Sequence, residues 1–384
     1  MLAKNSSFFS RFNCTQFDDT IEVIKMKILH TADIHLKEYG DERWKALEKI
    51  LKAAEEEKVD CITIAGDFFD KKSQSDILRN PLRKLFSKFK DIKIFIVPGN
   101  HDAKAFPKGV LLSDADNVQV LTRQPFQIEE ENEVVFIGVP YQEQEGEIIP
   151  HFFDILDEIR INSQKPKVLI THGTIVGGPY SFTGGFGEEE RYNPIHYEDI
   201  KDSFIDYFAL GHIHQIRNPF ITGEGNKIVG GYPGSPVSIA EDETGKRRVI
   251  IVEIKKSKMS FSEKELDTFH WLREELTIVP YYEEESLNKL RAYLKNFKEK
   301  GAHLILNIGG YTIWEERELK RRVEGILEKA PKNVKKPLIG FKTIEKEYET
   351  LIQDFFRKLD KQKIGEELRE QSKRVFCRAL AEVK

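Results

Sequence analysis

Five short apolar runs in this chain each stop at a cluster of aspartate, asparagine or histidine, and that recurrence constrains the fold more than any other feature. Lys27–Thr31 leads into Asp33 and His35, Val59–Ala65 into Gly66, Asp67 and Asp70, and Ile92–Val97 into Gly99, Asn100, His101 and Asp102. Lys167–Thr171 leads into His172, and Tyr207–Leu210 into Gly211, His212 and His214. Each run has strand length and is rich in Val, Ile or Phe. Amphipathic stretches at Glu42–Lys58 and Ser75–Lys90 separate the first three, the βαβ order of a sheet with covered faces. Later runs at Val134–Val139, Lys227–Gly230 and Val249–Ile254 have less helix between them. The pattern therefore predicts an α/β fold built as a two-layered, mixed β-sandwich flanked by helices, not a simple doubly wound sheet. Ligands of α/β sheets bind outside the carboxyl ends of the strands, so the five clusters should converge on one crevice. Glycines beside them permit sharp turns and close approach.

Near Ser262 the pattern changes. Strand at Leu266–Val279, helix at Glu284–Lys300, strand at His303–Ile308, helix at Trp314–Lys329 and strand at Pro337–Ile344 make a small α+β cap over residues 262–344. Residues 345–384 read as a helix pair. Its apolar stripes are Tyr348, Leu351, Ile352, Phe355, Phe356 and Leu359, then Ile364, Leu368, Val375, Phe376, Ala379 and Leu380. Such a pair either folds back on its own cap or docks a partner's helices. Residues 1–25 neither alternate nor cap, and are expected to be an extension outside the main domain at 26–261. A formal net charge of -4 leaves no global basic field, so any nucleic-acid binding must rest on local patches. Cys14, Cys61 and Cys377 are scattered and odd in number. They fit a reducing cytoplasm better than a disulfide framework or a zinc knuckle. No run approaches the roughly 18 apolar residues of a membrane span.

Imidazole, carboxylate and amide oxygen without thiolate suit Mn, Fe(II) or Zn more than soft copper. Asp33, His35, Asp67, Asn100, His172, His212 and His214 are too many ligands for one ion. Two divalent cations, Mn before Mg, Fe or Zn, sharing a carboxylate roughly 3.5–4 Å apart would clamp a phosphate and activate a water. In DxH and HxH, alternate positions on extended chain point the same way. Each cluster alone has an ordinary reading. A lone histidine is usually a satisfied core or surface residue, GNHD could be an Asx turn, and GD at a strand end could cap a helix. Five in order, each at a strand end, outweigh those readings. His30, His151, His196, His270 and His303 have no such setting and are read as structural.

The order DxH, GDxxD, GNHD, H, GHxH resembles the calcineurin-like metallophosphoesterase superfamily, and within it the SbcD/meiotic-recombination-eleven DNA-repair nucleases. Lys27–Leu36 resembles the opening of those nucleases, and Tyr232–Pro236 their YPGS turn. The resemblance implies the metallophosphoesterase fold. It implies one metal on Asp33, His35, Asp67 and His214, and a second on Asp67, Asn100, His172 and His212, with Asp67 the bridge. It also implies that His101 stands beside the metals as a transition-state stabiliser or acid, with Asp102 as its orienter. Many relatives carry His where this chain has Asp70, so Asp70 is left as a possible support without a catalytic role.

The expected activity is thus two-metal DNA exo- and endonuclease action in double-strand-break repair. The resemblance further implies a homodimer and an SbcC-like coiled-coil ATPase bound through the C-terminal tail. Small-substrate metallophosphoesterases, such as lipid pyrophosphatases or cyclic-nucleotide phosphodiesterases, are the alternative. They share the five motifs but usually end soon after the last strand. A scaffold that had lost catalysis would lack ligands, and none is missing. Lys71 with Lys72, Lys104 with Lys108, Arg191 with Tyr192, and Arg217 flank the clusters and could contact DNA phosphates. Lys104 and Arg191 are the leading pair, against the ordinary reading of solvated surface cations.

Overall fold

The computed structural model describes residues 25–107, 111–142, 165–180, 193–215 without 202, 220–255 without 224 and 226, and 258–382 without 345. The expected extension thus lies outside the described residues, except that the first strand begins at Lys25 instead of Lys27, pairing Lys25 and Met26 with Lys255 and Ile254.

Strands β1 (Lys25–Thr31), β2 (Cys61–Ala65), β3 (Lys93–Val97) and β4 (Val118–Val120) run parallel. Strands β5 (Gln127–Glu131), β6 (Val134–Val139), β7 (Lys167–His172), β8 (Ile175–Val176), β9 (Ile195–His196), β10 (Tyr207–Gly211), β11 (Phe220–Thr222) and β12 (Ile228–Gly231) follow. Next come β13 (Arg247–Lys255) and β14 (Lys258–Leu266). Two six-stranded mixed sheets result, in the orders β14-β13-β1-β2-β3-β4 and β11-β12-β10-β7-β6-β5. This is the two-layered mixed sandwich expected.

Strand alternation builds the cores. Leu29, Ile62, Ile64, Ile94 and Ile96 face outward and pack on α1 (Glu42–Glu56) and α2 (Lys72–Phe86). Their neighbours Met26, Ile28, Cys61, Phe95 and Val97 face inward and meet Phe136, Val168, Ile170, Tyr207 and Ala209 of the second sheet. The period of two, with both faces covered, is why these strands read as unbroken apolar runs. Helix α1 starts where the Asp41 side chain accepts the Trp44 N–H at 2.8 Å, and buries Trp44, Leu47, Ile50, Leu51 and Ala54 at helical spacing. His30 is read correctly as structural. It is fully buried between the sheets, its Nε2 donating to the Leu210 carbonyl (3.2 Å) and its Nδ1 accepting from Tyr207 Oη (3.0 Å). Burial pulls its pKa down to about 3, so it stays neutral.

The boundary near 262 needs correcting. β14 runs to Leu266, fully paired with β13, so the cap begins at β15 (His270–Ile278). The alternating charges of β14 fit an edge strand, and they hid it in the sequence. A one-turn helix α3 (Tyr197–Lys201) lies earlier. The cap is a parallel three-stranded sheet of β15, β16 (Ala302–Thr312) and β17 (Val334–Thr343), with α4 (Glu283–Asn296) and α5 (Glu316–Leu327) packed on it.

The turn between β12 and β13 is stitched to the cap. Ser238 N donates to the Phe269 carbonyl (3.1 Å), Trp271 N to Ser238 Oγ (3.1 Å), Gly245 N to the Trp271 carbonyl (2.8 Å) and Thr268 Oγ1 to the Pro236 carbonyl (2.5 Å).

The tail forms the expected helix pair, α6 (Glu349–Asp360) and α7 (Glu366–Glu382). Its main stripe folds back on the cap. Ile352, Phe356 and Cys377 are buried with Val279 and Ile344, and Phe355 stacks on Phe376 at 3.8 Å between ring centroids. The stripe is thus consumed within the chain. Among the described residues of the tail, only Leu351, Leu368 and Val375 remain as large exposed apolar side chains.

Candidate metal centre

The carboxyl ends of β1, β2, β3, β7 and β10 meet at one edge of the sandwich, and all seven sequence-selected ligands meet there. Three groups of ligand atoms lie within 4.8 Å of one another: Asp33, His35 and His214; His35, Asp67 and His101; and Asp33, Asp67 and His172. Asp67 Oδ2 is 3.6 Å from His35 Nε2 and 3.4 Å from His172 Nε2, so its carboxylate stands between the two histidine groups. Asn100 Oδ1 lies 2.9 Å and His212 Nδ1 3.3 Å from His172 Nε2, while His35 Nε2 is 3.2 Å from His214 Nε2.

Glycine makes this density possible. At Gly66 (φ +85°) a Cβ would lie 2.0 Å from His172 Nδ1, and at Gly99 it would lie 2.2 Å from Asp67 Oδ1. Four of the candidate ligands themselves have left-handed backbone: Asp33 (φ 54°), His35 (50°), Asp67 (45°) and His212 (99°). Reversed backbone at these positions keeps the short connections inside the cleft, at a conformational cost on the order of 1–3 kcal/mol each.

The donor set fits cations. His172 Nδ1 donates to the Ala65 carbonyl at 3.1 Å, which points Nε2 at the oxygens of Asn100 and Asp67. Acceptors converging at these distances require a positive charge between them. Without metal, a proton serves. Burial pulls the His172 pKa down, but Asp67 and then Asp33 outweigh it and hold it at about 9. Burial likewise pushes Asp67 up, yet His172 and His35 keep its carboxyl well below the usual range. His35 and His212 are pulled to about 3, chiefly by burial, so both rings are uncharged near pH 7, the form in which imidazole ligates a cation. The Asp33 carboxyl is pushed by burial to about 6.

His101 sits at the rim, its side chain 45% exposed, with Nε2 4.0 Å from Asp67 Oδ2. Its backbone N–H donates to Asp67 Oδ1 (2.9 Å), and its Nδ1 donates to the Asp70 carbonyl at 3.0 Å. That geometry corrects the role expected for Asp102. The Asp102 carboxylate is fully buried and accepts from Gly99 N (2.8 Å) and Phe69 N (3.0 Å), joining two ligand loops. Burial, with the Asp67 charge nearby, pushes it to about 8. Orientation of the His101 ring falls to Asp70, whose carboxylate is in turn held by Arg43 at 2.8 Å. Arg43 also donates to the His35 carbonyl (2.8 Å). Lys104 is exposed just beyond His101. Arg191, Tyr192, Lys108 and Arg217 lie outside the described residues, as does most of the Gly-rich segment 177–193.

Sequence reading missed Glu243. Its Oε1 lies 3.0 Å from His214 Nδ1, although it stands 29 residues away in a turn with no apolar pattern. Only the neighbouring Tyr232–Pro236 motif marked that region.

Residues 26–216 match the family described as calcineurin-like phosphoesterase. The chain is 23% identical over 260 residues to the metallophosphoesterase YhaO of Bacillus subtilis, covering 62% of this chain and 59% of that relative, less than two thirds of its length. It is 23% identical over 358 residues to the SbcD subunit of the nuclease SbcCD of Escherichia coli, covering 80% of this chain and 84% of that one. Among solved structures it is similar to a dimetal phosphatase from Danio rerio, with a TM-score of 0.43 and 12% identity over 63% of this chain and 98% of that chain.

Proposed function

From the premise that this chain carries a calcineurin-like metallophosphoesterase domain, a family that binds two divalent metals, we propose that it is a DNA nuclease with exo- and endonuclease action, working in double-strand-break repair. The observation that carries this reading is the extent of similarity to the SbcD subunit of the nuclease SbcCD. It covers 80% of this chain and so must reach beyond residues 26–216 into the cap.

One cation would be held by Asp33, His35, Asp67 and His214, and the other by Asp67, Asn100, His172 and His212, with manganese the preferred metal. Bound there, the pair would supply charge neutralisation on the phosphate and an activated water. Asp67 orders both sets while its Oδ1 fixes the His101 backbone. His101, at the open rim and oriented by the Asp70 carbonyl, is placed to protonate the leaving oxygen. Lys104 and Arg191 would steady the DNA backbone.

The remaining proposals concern assembly. The exposed tail residues Leu351, Leu368 and Val375 would meet an SbcC-like coiled-coil ATPase, in a cytoplasmic homodimeric complex. No helix among the described residues is long and apolar enough to cross a membrane.

The test offers the purified chain linear double-stranded DNA and a small phosphodiester, each with Mn, Mg or chelator, beside Asp67→Ala. Mn-dependent DNA cleavage lost in the variant is expected. Cleavage of the small ester with DNA left intact would point to a small-substrate phosphoesterase instead.

A further inference from the structure

The turn between β12 and β13 places a buried carboxylate directly behind one metal ligand. Glu243 is 5% exposed. Its Oε1 is 3.0 Å from His214 Nδ1, and its Oε2 accepts from Ile239 N (2.7 Å) and Ser235 Oγ (3.2 Å). A carboxylate taken out of water is costly unless its lone pairs are used, and here both oxygens are engaged.

The other side of His214 is gripped as well. Arg247, 1% exposed, donates to the His214 carbonyl, from Nε to the Ser235 carbonyl (2.8 Å) and from a terminal nitrogen to Ser235 Oγ (3.0 Å). The guanidinium bonds thus run to the backbone on either side and to Ser235. The charge of Glu243 is aimed at the imidazole.

We propose that Glu243 is a positioning residue for His214. It accepts the Nδ1–H, which fixes the tautomer with the Nε2 lone pair facing His35 Nε2 3.2 Å away, where a cation would sit. Partners of this kind raise the basicity of the ligand and lock its ring, and their loss typically costs about 10- to 100-fold in metal affinity. The inference rests on the two-cation reading of the centre and assigns one of the two cations its hidden support.

Manganese titration by calorimetry on the full wild-type chain, Glu243→Gln and Ser238→Ala tests it. Ser238 Oγ donates to the Glu243 carbonyl at 2.5 Å, so its loss loosens the same turn without touching the imidazole. In Glu243→Gln one of two manganese equivalents should weaken by about 10- to 100-fold while the other keeps its affinity. Ser238→Ala should keep both. Wild-type affinity for both equivalents in Glu243→Gln would overturn the proposal, and so would an equal loss in Ser238→Ala. Wild-type chain that takes up no manganese would sink the metal reading itself. Should Glu243→Gln fail to fold, long-range nitrogen–proton NMR of the zinc-loaded wild type decides the matter. Its His214 ring must carry the proton on Nδ1, and a proton on Nε2 refutes the assignment.

Discussion

Replacing Asp102 by alanine should injure the fold before it injures the chemistry. Its carboxylate accepts two buried backbone N–H groups, from Gly99 at 2.8 Å and Phe69 at 3.0 Å, and so ties the loop after β3 to the loop after β2. Burial holds this carboxyl largely protonated near pH 7, so the cost is that of leaving two buried N–H groups unpaired, about 1–3 kcal/mol each and about 2–6 kcal/mol together. That is a large part of the roughly 5–15 kcal/mol typical of a whole domain. At roughly 2–4 °C per kcal/mol for a domain of this size, the melting temperature should fall by at least about 4 °C. Asp102→Asn should fall less, because one oxygen remains to accept while the new amide faces an N–H. The assay is thermal unfolding in chelator, paired with turnover well below the melting point of each variant. A variant that melts like wild type yet loses turnover would refute the reasoning and make Asp102 a proton-handling group.

His101→Ala should keep both manganese equivalents and lower turnover by about 10²–10⁴-fold, the usual contribution of a positioned acid or base. Loss of a metal equivalent would move His101 into the ligand set. Because the metal-free His172 holds its proton to about pH 9, cation binding must displace that proton. Manganese affinity should therefore rise with pH and level off near 9. Calorimetry in buffers of different ionisation enthalpy checks this, and proton release of zero at pH 7 would contradict it. In the tail, Phe356→Asp should unfold the cap contact at a cost of at least about 3–5 kcal/mol, since Phe356 is 2% exposed. Leu351→Asp should leave the melting point unchanged and, if the proposed SbcC-like partner docks there, abolish co-purification with it. If Leu351→Asp has no effect on the complex, that face is not the docking surface.

The convergence of the candidate ligand clusters was legible because each follows a strand whose two covered faces spell a continuous apolar run, as in Ile62–Ala65 before Asp67. What escaped was support carried by backbone atoms or by distant polar turns. Asp102 looked like a partner for its neighbour His101, yet its carboxylate serves N–H groups that carry no residue identity. Glu243 sits in a run of charged residues that looks like any exposed turn. Short or polar strands escaped too. Three of the five residues of Gln127–Glu131 are acidic, and the strand pairs only at a sheet edge. The tail shows a different limit, since an amphipathic stripe declares that something covers it and not whether the cover is its own cap.

The reversed backbone at Asp33, His35, Asp67 and His212 sets selection for robustness against selection for activity. Glycine relaxes a left-handed residue at little steric cost. At Asp67 and Asp33, however, it would strip the carboxylates that face His172 and accept the His101 and His212 N–H groups. A library screened for heat resistance in chelator should therefore accumulate glycine at His35 and His212 first. Such survivors would be the hardiest and least active members of the pool. Stabilising this protein without disarming it requires changes made elsewhere, on the helices that cover the first sheet or on the cap.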